Sequence, residues 1–312
     1  MRDRLVTLIG GGGFVGRYVA QGLLRAGVRL RVAERDPRKA FYLRPLGGLG
    51  QTQFVAADVT RPDTIARAVA GADAVINLVG AFGAQAQAVQ VDGARNVAEA
   101  AAAAGLEAMV HMSAIGADPA SDATYGRTKG EGEAAVLAAF PKATILRPSV
   151  VFGSEDQFVN RFAGMVAKLP VVPVLRAGTK FQPVFAADVG DVVSAVIAEP
   201  APHAGRTYEL GGPDIITMGA LVRWIADAIG RRPAIVDLPD IVGSGIARAG
   251  FLPGAPISWD QWLMLGRDNV VTGADGFAAL GIEPTPLGAV APGWLVRFRR
   301  QGRFARRAED LA

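Results

Sequence analysis

An apolar run, Leu5–Ile9, ends in Gly10-Gly11-Gly12-Gly13-Phe14-Val15-Gly16, and a helical pattern follows at once from Arg17 to Arg25. No other stretch narrows the fold as much. Glycines at 10, 13 and 16 stand between a first strand and a first helix. Without Cβ atoms there, backbone N–H groups at a helix N-terminus can approach a pyrophosphate, and the last glycine lets helix and strand close on each other. A structural turn also uses glycine. The strand before, the helix after and the first-strand position are the context of a dinucleotide cradle.

The rest of the chain keeps that rhythm. Apolar β-rich runs at 28–32, 53–57, 74–79, 108–112 and 143–146 each precede a helical pattern. Near-continuous apolar strands separated by helices predict a parallel sheet covered on both faces, hence an α/β, doubly wound Rossmann architecture. After Pro148 the punctuation by Pro170, Pro173, Gly178, Pro183 and Gly211-Gly212-Pro213 marks a smaller C-terminal α/β domain. The predicted division is 1–150 for the nucleotide-binding domain, completed by part of 181–210, and 151–312 for a substrate or partner domain with a basic tail. A helix over 188–199 and the strand Thr207–Leu210 would make that return, before a helix over 218–229.

Composition removes several function classes. At 312 residues, 50% hydrophobic and 20% charged, the chain can bury one or two cores. Having no cysteine, it makes no disulfide, thiolate metal site or cysteine nucleophile, and two histidines argue against a metal cluster. Three charged residues run straight into the first strand, leaving no room for a signal peptide, and the weakly polar 84–105 stretch is broken too often for a membrane span. A cytoplasmic protein is expected.

From Arg297 onward six arginines face only Glu309 and Asp310, which accounts for the whole formal charge of +4. With Trp294, Phe298 and Phe304 interleaved, the Arg297–Arg307 region suits an acidic partner or an anionic membrane surface, or else is a solvated, frayed terminus. Balanced charge elsewhere and the lack of a recognition-helix motif argue against nucleic acid.

The second strand ends Glu34-Arg35-Asp36-Pro37-Arg38-Lys39, about the distance expected for the ribose contact. An acid there accepts from the 2′-hydroxyl of NAD, whereas cations take up the 2′-phosphate of NADP. Arg35, supported by Arg38 and Lys39, favours NADP(H), with NAD(H) the alternative. Arg38 and Lys39 equally suit the start of an exposed helix. Asp58, in Ala57-Asp58-Val59, is placed to accept from an adenine amino group or to cap the following helix. In Asn77-Leu78-Val79-Gly80 the glycine lets a ribose approach the backbone, while Asn77 equally suits bonding to local main chain.

Ser113 follows the fifth strand, and Tyr125-Gly126-Arg127-Thr128-Lys129 opens the next helical pattern. Tyrosine and lysine at i and i+4 share a helix face. Four tyrosines and five lysines give only about 0.06 such pairs by chance. A lysine beside a phenol favours phenolate, and a serine can orient a carbonyl. The same trio also serves a cofactor site that turns nothing over. His111 reads as a core residue.

Here the residues resemble the atypical, extended short-chain dehydrogenase/reductase superfamily. The stretches 140–149, Phe152-Gly153-Ser154-Glu155-Asp156, Phe158-Val159-Asn160-Arg161-Phe162, Gln182-Pro183-Val184 with Asp188-Val189, and Asp268-Asn269-Val270-Val271 resemble the NADPH-binding accessory subunits of respiratory complex I and their bacterial relatives, across nearly the whole chain. The resemblance implies a tightly held NADPH, complex I subunits as partners, a peripheral place on the membrane-associated NADH:quinone oxidoreductase, and an assembly or stabilising role. Carried over, Gly10, Gly13, Phe14, Val15, Gly16, Arg35, Asp58, Val59, Leu78, Val79 and Gly80 bind cofactor. Ser113, Tyr125 and Lys129 sit near the nicotinamide, with Pro148 to Val151 lining that end. Glu34 departs from the family's apolar neighbour of Arg35. The alternative is a free NAD(P)-dependent reductase, epimerase or dehydratase using Tyr125 and Lys129 on a small carbonyl, sugar nucleotide or quinone precursor. A regulator that reads NADPH level is a third class.

Overall fold

The computed structural model describes residues 4–252, 255–300 and 302; Arg303, Phe304, Arg306 and Arg307 of the basic tail lie outside the described residues. In chain order the elements are β1 (Leu5–Ile9), α1 (Phe14–Arg25), β2 (Arg29–Glu34), β3 (Thr52–Ala56), α2 (Pro62–Val69), β4 (Ala74–Asn77), α3 (Gly93–Ala103), β5 (Ala108–Met112), α4 (Thr124–Ala139) and β6 (Thr144–Pro148). Then come β7 (Val151–Phe152), α5 (Val159–Lys168), β8 (Val171–Leu175), β9 (Lys180–Phe181), β10 (Val184–Phe185), α6 (Ala186–Ala198), β11 (Thr207–Leu210), β12 (Ile216–Thr217) and α7 (Met218–Ala228). The last elements are β13 (Ala234–Leu238), α8 (Asp240–Arg248), α9 (Trp259–Met264), α10 (Gly276–Leu280), α11 (Leu287–Val290) and α12 (Pro292–Leu295).

Two compact units result. The first comprises Met1–Ser149, Ala186–Gly211 and Val271–Pro284. Its sheet runs β11-β6-β5-β4-β1-β2-β3, every pair parallel. Strands with helical crossovers need cover on both faces. Here α2, α3 and α4 pack in a row, and α1 packs with α6. Ile65, Val97 and Val136 meet Val75 and Met109 in the α2–α4 layer. The strand order reverses between β1 and β4, where their connections leave in opposite directions and open a crevice at the strands' C-terminal ends.

The stretch 271–284, which the sequence reading assigns to the second domain, clusters with the first. A buried carboxylate holds it there. Glu209 accepts from the backbone N–H groups of Thr272 and Gly273 at 2.7 and 2.8 Å, and Asp275 caps α10 through the N–H groups of Phe277 and Ala278. Behind Glu209, Arg147 lies 4.0 Å away and forks onto Glu133 at 2.9 and 2.6 Å.

The second unit comprises Val150–Phe185, Gly212–Val270 and Thr285–Ala312. Its core gathers Phe152, Val159, Val166, Val172, Leu221 and Ile225. β8 and β13 form a parallel ribbon, and Trp262 of α9 packs with Ala247 of α8.

We predict that Glu209→Ala lowers unfolding free energy by about 2–4 kcal/mol, because two N–H groups and one guanidinium lose a buried acceptor. Denaturant titration reads the loss. Limited proteolysis should then cut first within 271–284, and an unchanged digest would show that the segment is held by other contacts.

Candidate nucleotide-binding site

The C-terminal ends of β1, β2 and β4 line a cleft of about 470 Å³, within the range of small-molecule sites. Its floor is the glycine loop. Gly10 has φ of 78°, and a Cβ there would lie 3.0 Å from the Val79 side chain; a Cβ on Gly16 would lie 2.5 Å from the Gly11 carbonyl oxygen. Gly13 is the N-cap of α1, with no side-chain cap and no acid in the first turn. That end of the helix therefore carries uncompensated positive potential, which favours an anion.

On one flank Glu34, Arg35, Lys39, Asp58, Val59 and Thr60 line the cleft. Glu34 turns inward, accepting from the Gly12 N–H at 2.5 Å. Burial pushes its carboxyl up, against the Gly12 hydrogen bond and the charges of Arg35 and Lys39, which pull it down. Tyr42 donates to the Gly12 carbonyl at 3.1 Å, with Arg17 over its ring at 4.4 Å, and so pins the loop from outside.

Arg38, expected to support Arg35, does not line the cleft. Its Nε and Nη2 donate to Asp36 at 2.9 and 3.1 Å, and that hydrogen bonding holds Asp36 below the usual carboxylate range. The reading of residues 38–39 as a helix start has its counterpart in the run of 3-10 turns Pro37–Leu46. Asp58 accepts from the Thr60 N–H and hydroxyl at 2.9 and 2.8 Å, which lowers its pKa. It does not cap α2, whose cap position is Arg61.

Leu78, Val79 and Gly80 line the other flank. Asn77 serves local structure: its Oδ1 accepts from Val79 N–H at 3.1 Å, and its Nδ2 lies 3.2 Å from His111 Nδ1. His111 is buried, and desolvation drives its pKa down to about 3, so it is neutral. Lys129 Nζ donates to the Met112 carbonyl at 2.9 Å and lies 3.6 Å from where a Cβ on Gly80 would sit. Lys129 is itself 5% exposed and does not line the cleft. Lys129 Nζ is 5.9 Å from the Tyr125 ring centre, and Tyr125 stacks on Phe82 at 4.5 Å and 11°. Ser113 Oγ is buried with no hydrogen-bond partner among the described residues.

Electrostatics here correct one expectation. Burial brings Lys129 down to about 8, with Glu133 opposing, and pushes Tyr125 up to about 12. At neutral pH Tyr125 is a phenol and a proton donor rather than a phenolate.

Ser113, Tyr125 and Lys129 do not line the cleft, and further expected residues also lie apart from it. Phe14, Val15 and Gly16 form the first turn of α1. Pro148 ends β6, accepting from Ile115 N–H at 3.0 Å, and Val151 pairs with Val184 in the second unit. The sequence reading missed Tyr42, which carried no signal, and Phe82, an aromatic two residues past the strand-end Gly80.

The donor set fits a nicotinamide dinucleotide. A Cβ-free cradle and an uncapped helix start suit a pyrophosphate, two cations and an acid flank the ribose end, and on the other flank the lining residue Gly80 has Lys129 beside it. Residues 6–211 match the NAD dependent epimerase/dehydratase family. The chain belongs to that family. One relative, NADH dehydrogenase (ubiquinone) 1 alpha subcomplex subunit 9 of Arabidopsis thaliana, is 33% identical over 96% of this chain and 79% of its own length. Another, ceramide reductase of Caulobacter vibrioides, is 31% identical over 80% of this chain and 78% of its own. The NADPH-dependent quinone oxidoreductase QOR2 of Escherichia coli, solved with NADPH, shares the family fold at a TM-score of 0.76 and 21% identity, over 93% of this chain and 99% of that one.

Two outcomes follow from the buried charges. Glu34→Gln keeps an acceptor for Gly12 but removes a negative charge beside the ribose end, so the NADPH-over-NADH affinity ratio should rise roughly fivefold in fluorescence titration. An unchanged ratio would place the 2′-phosphate elsewhere. For Lys129 the folded pKa of about 8 lies below the ordinary 10.5. Between those values the unfolded chain binds more protons, so wild-type stability rises with pH; below 8 the full cost of about 3 kcal/mol applies. Lys129→Met should therefore gain about 2 kcal/mol at pH 7 by denaturant unfolding, the gain fading toward pH 10.5, and should weaken nucleotide binding.

Proposed function

We propose that this protein is an NADP(H)-holding accessory or assembly subunit of a membrane-associated NADH:quinone oxidoreductase, respiratory complex I, working peripherally at the cytoplasmic face of the inner membrane. The observation that carries this reading is 33% identity across 96% of the chain, both units included, to a protein named as a subunit of that enzyme. A peripheral place is consistent with the described helices, none of which is long and apolar enough to cross a membrane. Arg35 and Lys39 would take the 2′-phosphate, the uncapped start of α1 the pyrophosphate, and Asp58 the adenine side.

When bound, NADPH supplies a hydride. The site's own residues favour holding over reacting. Lys129 is tied to the Met112 carbonyl and Phe82 covers the Tyr125 ring. A second reading, a free reductase, has a specific support in the relative named ceramide reductase. In that reading Tyr125, protonated at neutral pH, gives its proton to a carbonyl oxygen that Ser113 Oγ also bonds.

Purification from detergent-solubilised membranes of the native host, with mass spectrometry of bound nucleotide and copurifying chains, separates the two. The first reading expects NADPH, complex I chains, and a nucleotide that a carbonyl panel leaves reduced. A lone protein that oxidises NADPH with a carbonyl, and whose turnover falls roughly a hundredfold or more in Tyr125→Phe, would establish the second.

A further inference from the structure

An acid stands among the cations that would hold a 2′-phosphate. Glu34 ends β2 half-buried, lines the cleft together with Arg35 and Lys39, and accepts from the Gly12 N–H at 2.5 Å. The fit there is tight. A Cβ on Gly12 would lie 3.0 Å from Glu34 Oε1 and 3.0 Å from the Ala40 Cβ, while Tyr42 holds the Gly12 carbonyl. The carboxyl is thus fixed to the glycine loop, in the field of Arg35 and Lys39.

The charged groups around it come from four elements. At its own strand end stand Arg35 and Asp36, and from the following run of 3-10 turns come Lys39 and Arg38, the latter engaged by Asp36. The chain after β3 brings Asp58, which is bonded to Thr60 and feels Arg35 and Arg61. From α1, Arg17 lies over the Tyr42 ring. The Gly12 N–H, Arg35 and Lys39 favour the Glu34 carboxylate, and burial opposes it more strongly.

A 2′-phosphate would remove two of those three supports. It carries close to two negative charges, takes up Arg35 and Lys39, and sets a like charge beside the carboxyl. The acid form escapes that repulsion: one oxygen still accepts from Gly12, and the other becomes a donor to a phosphate oxygen. A 2′-hydroxyl acts in the reverse sense, since it donates to the carboxylate and favours the charged form. The two nucleotides therefore call for opposite protonation states of one side chain.

We propose that Glu34 couples nucleotide choice to proton concentration: NADPH binds with uptake of a proton from solvent onto Glu34, NADH binds to the carboxylate, and preference for NADPH rises as pH falls. This inference rests on the proposed holding of the 2′-phosphate by Arg35 and Lys39. It makes Glu34 a specificity-determining residue whose sense is set by pH. Linkage requires the converse, that bound NADPH makes Glu34 harder to ionise.

Isothermal titration calorimetry of the full chain, in two buffers of unlike ionisation enthalpy, counts the protons exchanged. At pH 7 NADPH should take up a measurable fraction of a proton and NADH none. The phosphate's own second ionisation, near about 6, gives the opposite sign, because the cations draw off its proton. From pH 8 to pH 6 the NADPH-over-NADH affinity ratio should rise roughly fivefold in the wild type. In Glu34→Gln, which keeps an acceptor for Gly12, the uptake should vanish and the ratio should no longer rise. Should that variant fail to fold, adenosine 2′,5′-bisphosphate against AMP on the wild type decides, with uptake expected for the bisphosphate alone. NADPH preferred over NADH without proton uptake would overturn the proposal and leave the 2′-phosphate assignment standing. Uptake that persists in Glu34→Gln would also overturn it, moving the proton to another group. NADPH binding no tighter than NADH at either pH would sink the 2′-phosphate reading itself, and this proposal with it.

Discussion

The approach of α1 to the end of β1 is the constraint on which the nucleotide site depends. With 2.5 Å between the Gly11 carbonyl oxygen and the position of a Cβ at 16, only glycine lets the helix begin there, and only that start leaves an uncapped helix end facing the cleft. The reversal of strand order between β1 and β4 then keeps the neighbouring loops from filling the same space. Arg35 and Lys39, from the chain after β2, reach the cleft as a consequence of β2 pairing beside β1, and Lys129 lies behind Gly80 of the opposite flank.

The site is not optimised for stability. It holds an inward-turned carboxyl at Glu34, raised by burial, and an ammonium at Lys129, lowered by burial, and neither makes a close ion pair among those described. Each is instead met by a backbone group: the Gly12 N–H for Glu34 and the Met112 carbonyl for Lys129. Buried charges held by single backbone dipoles cost folding free energy. One lines the cleft and the other lies behind its Gly80 flank, an arrangement that a ligand carrying compensating groups would explain.

The parallel sheet was legible because its strands are uniformly apolar and its helices regularly spaced, and the cradle because glycine spacing reports backbone approach directly. The strand Thr207–Leu210, expected to return to the first domain, pairs with β6 in its sheet. Side-chain commitments were harder to read. Arg35 and Arg38 look equivalent in sequence, yet Asp36 two residues before Arg38 captures it in a turn-local fork. The Tyr125–Lys129 spacing reported a shared helix face but not the Met112 carbonyl that takes up Lys129, since that contact comes from a strand 17 residues earlier. The attachment of 271–284 depends on a buried glutamate more than 60 residues upstream, a pairing that no local pattern announces.

Retention and reaction place opposite demands on the Tyr125 end. A carbonyl reductase needs a proton donor open to a substrate; a structural nucleotide site needs the nicotinamide end kept from stray oxidants. Phe82 lies face to face with Tyr125 on a segment bracketed by Gly80 and Gly83, while the Gln90 amide holds the Ala81 carbonyl next to it. The aromatic cover is thus anchored beside the tyrosine rather than swinging free. An acid-base set covered at its tyrosine and tied at its lysine supports the proposed reading of a nucleotide-holding site over that of a reductase.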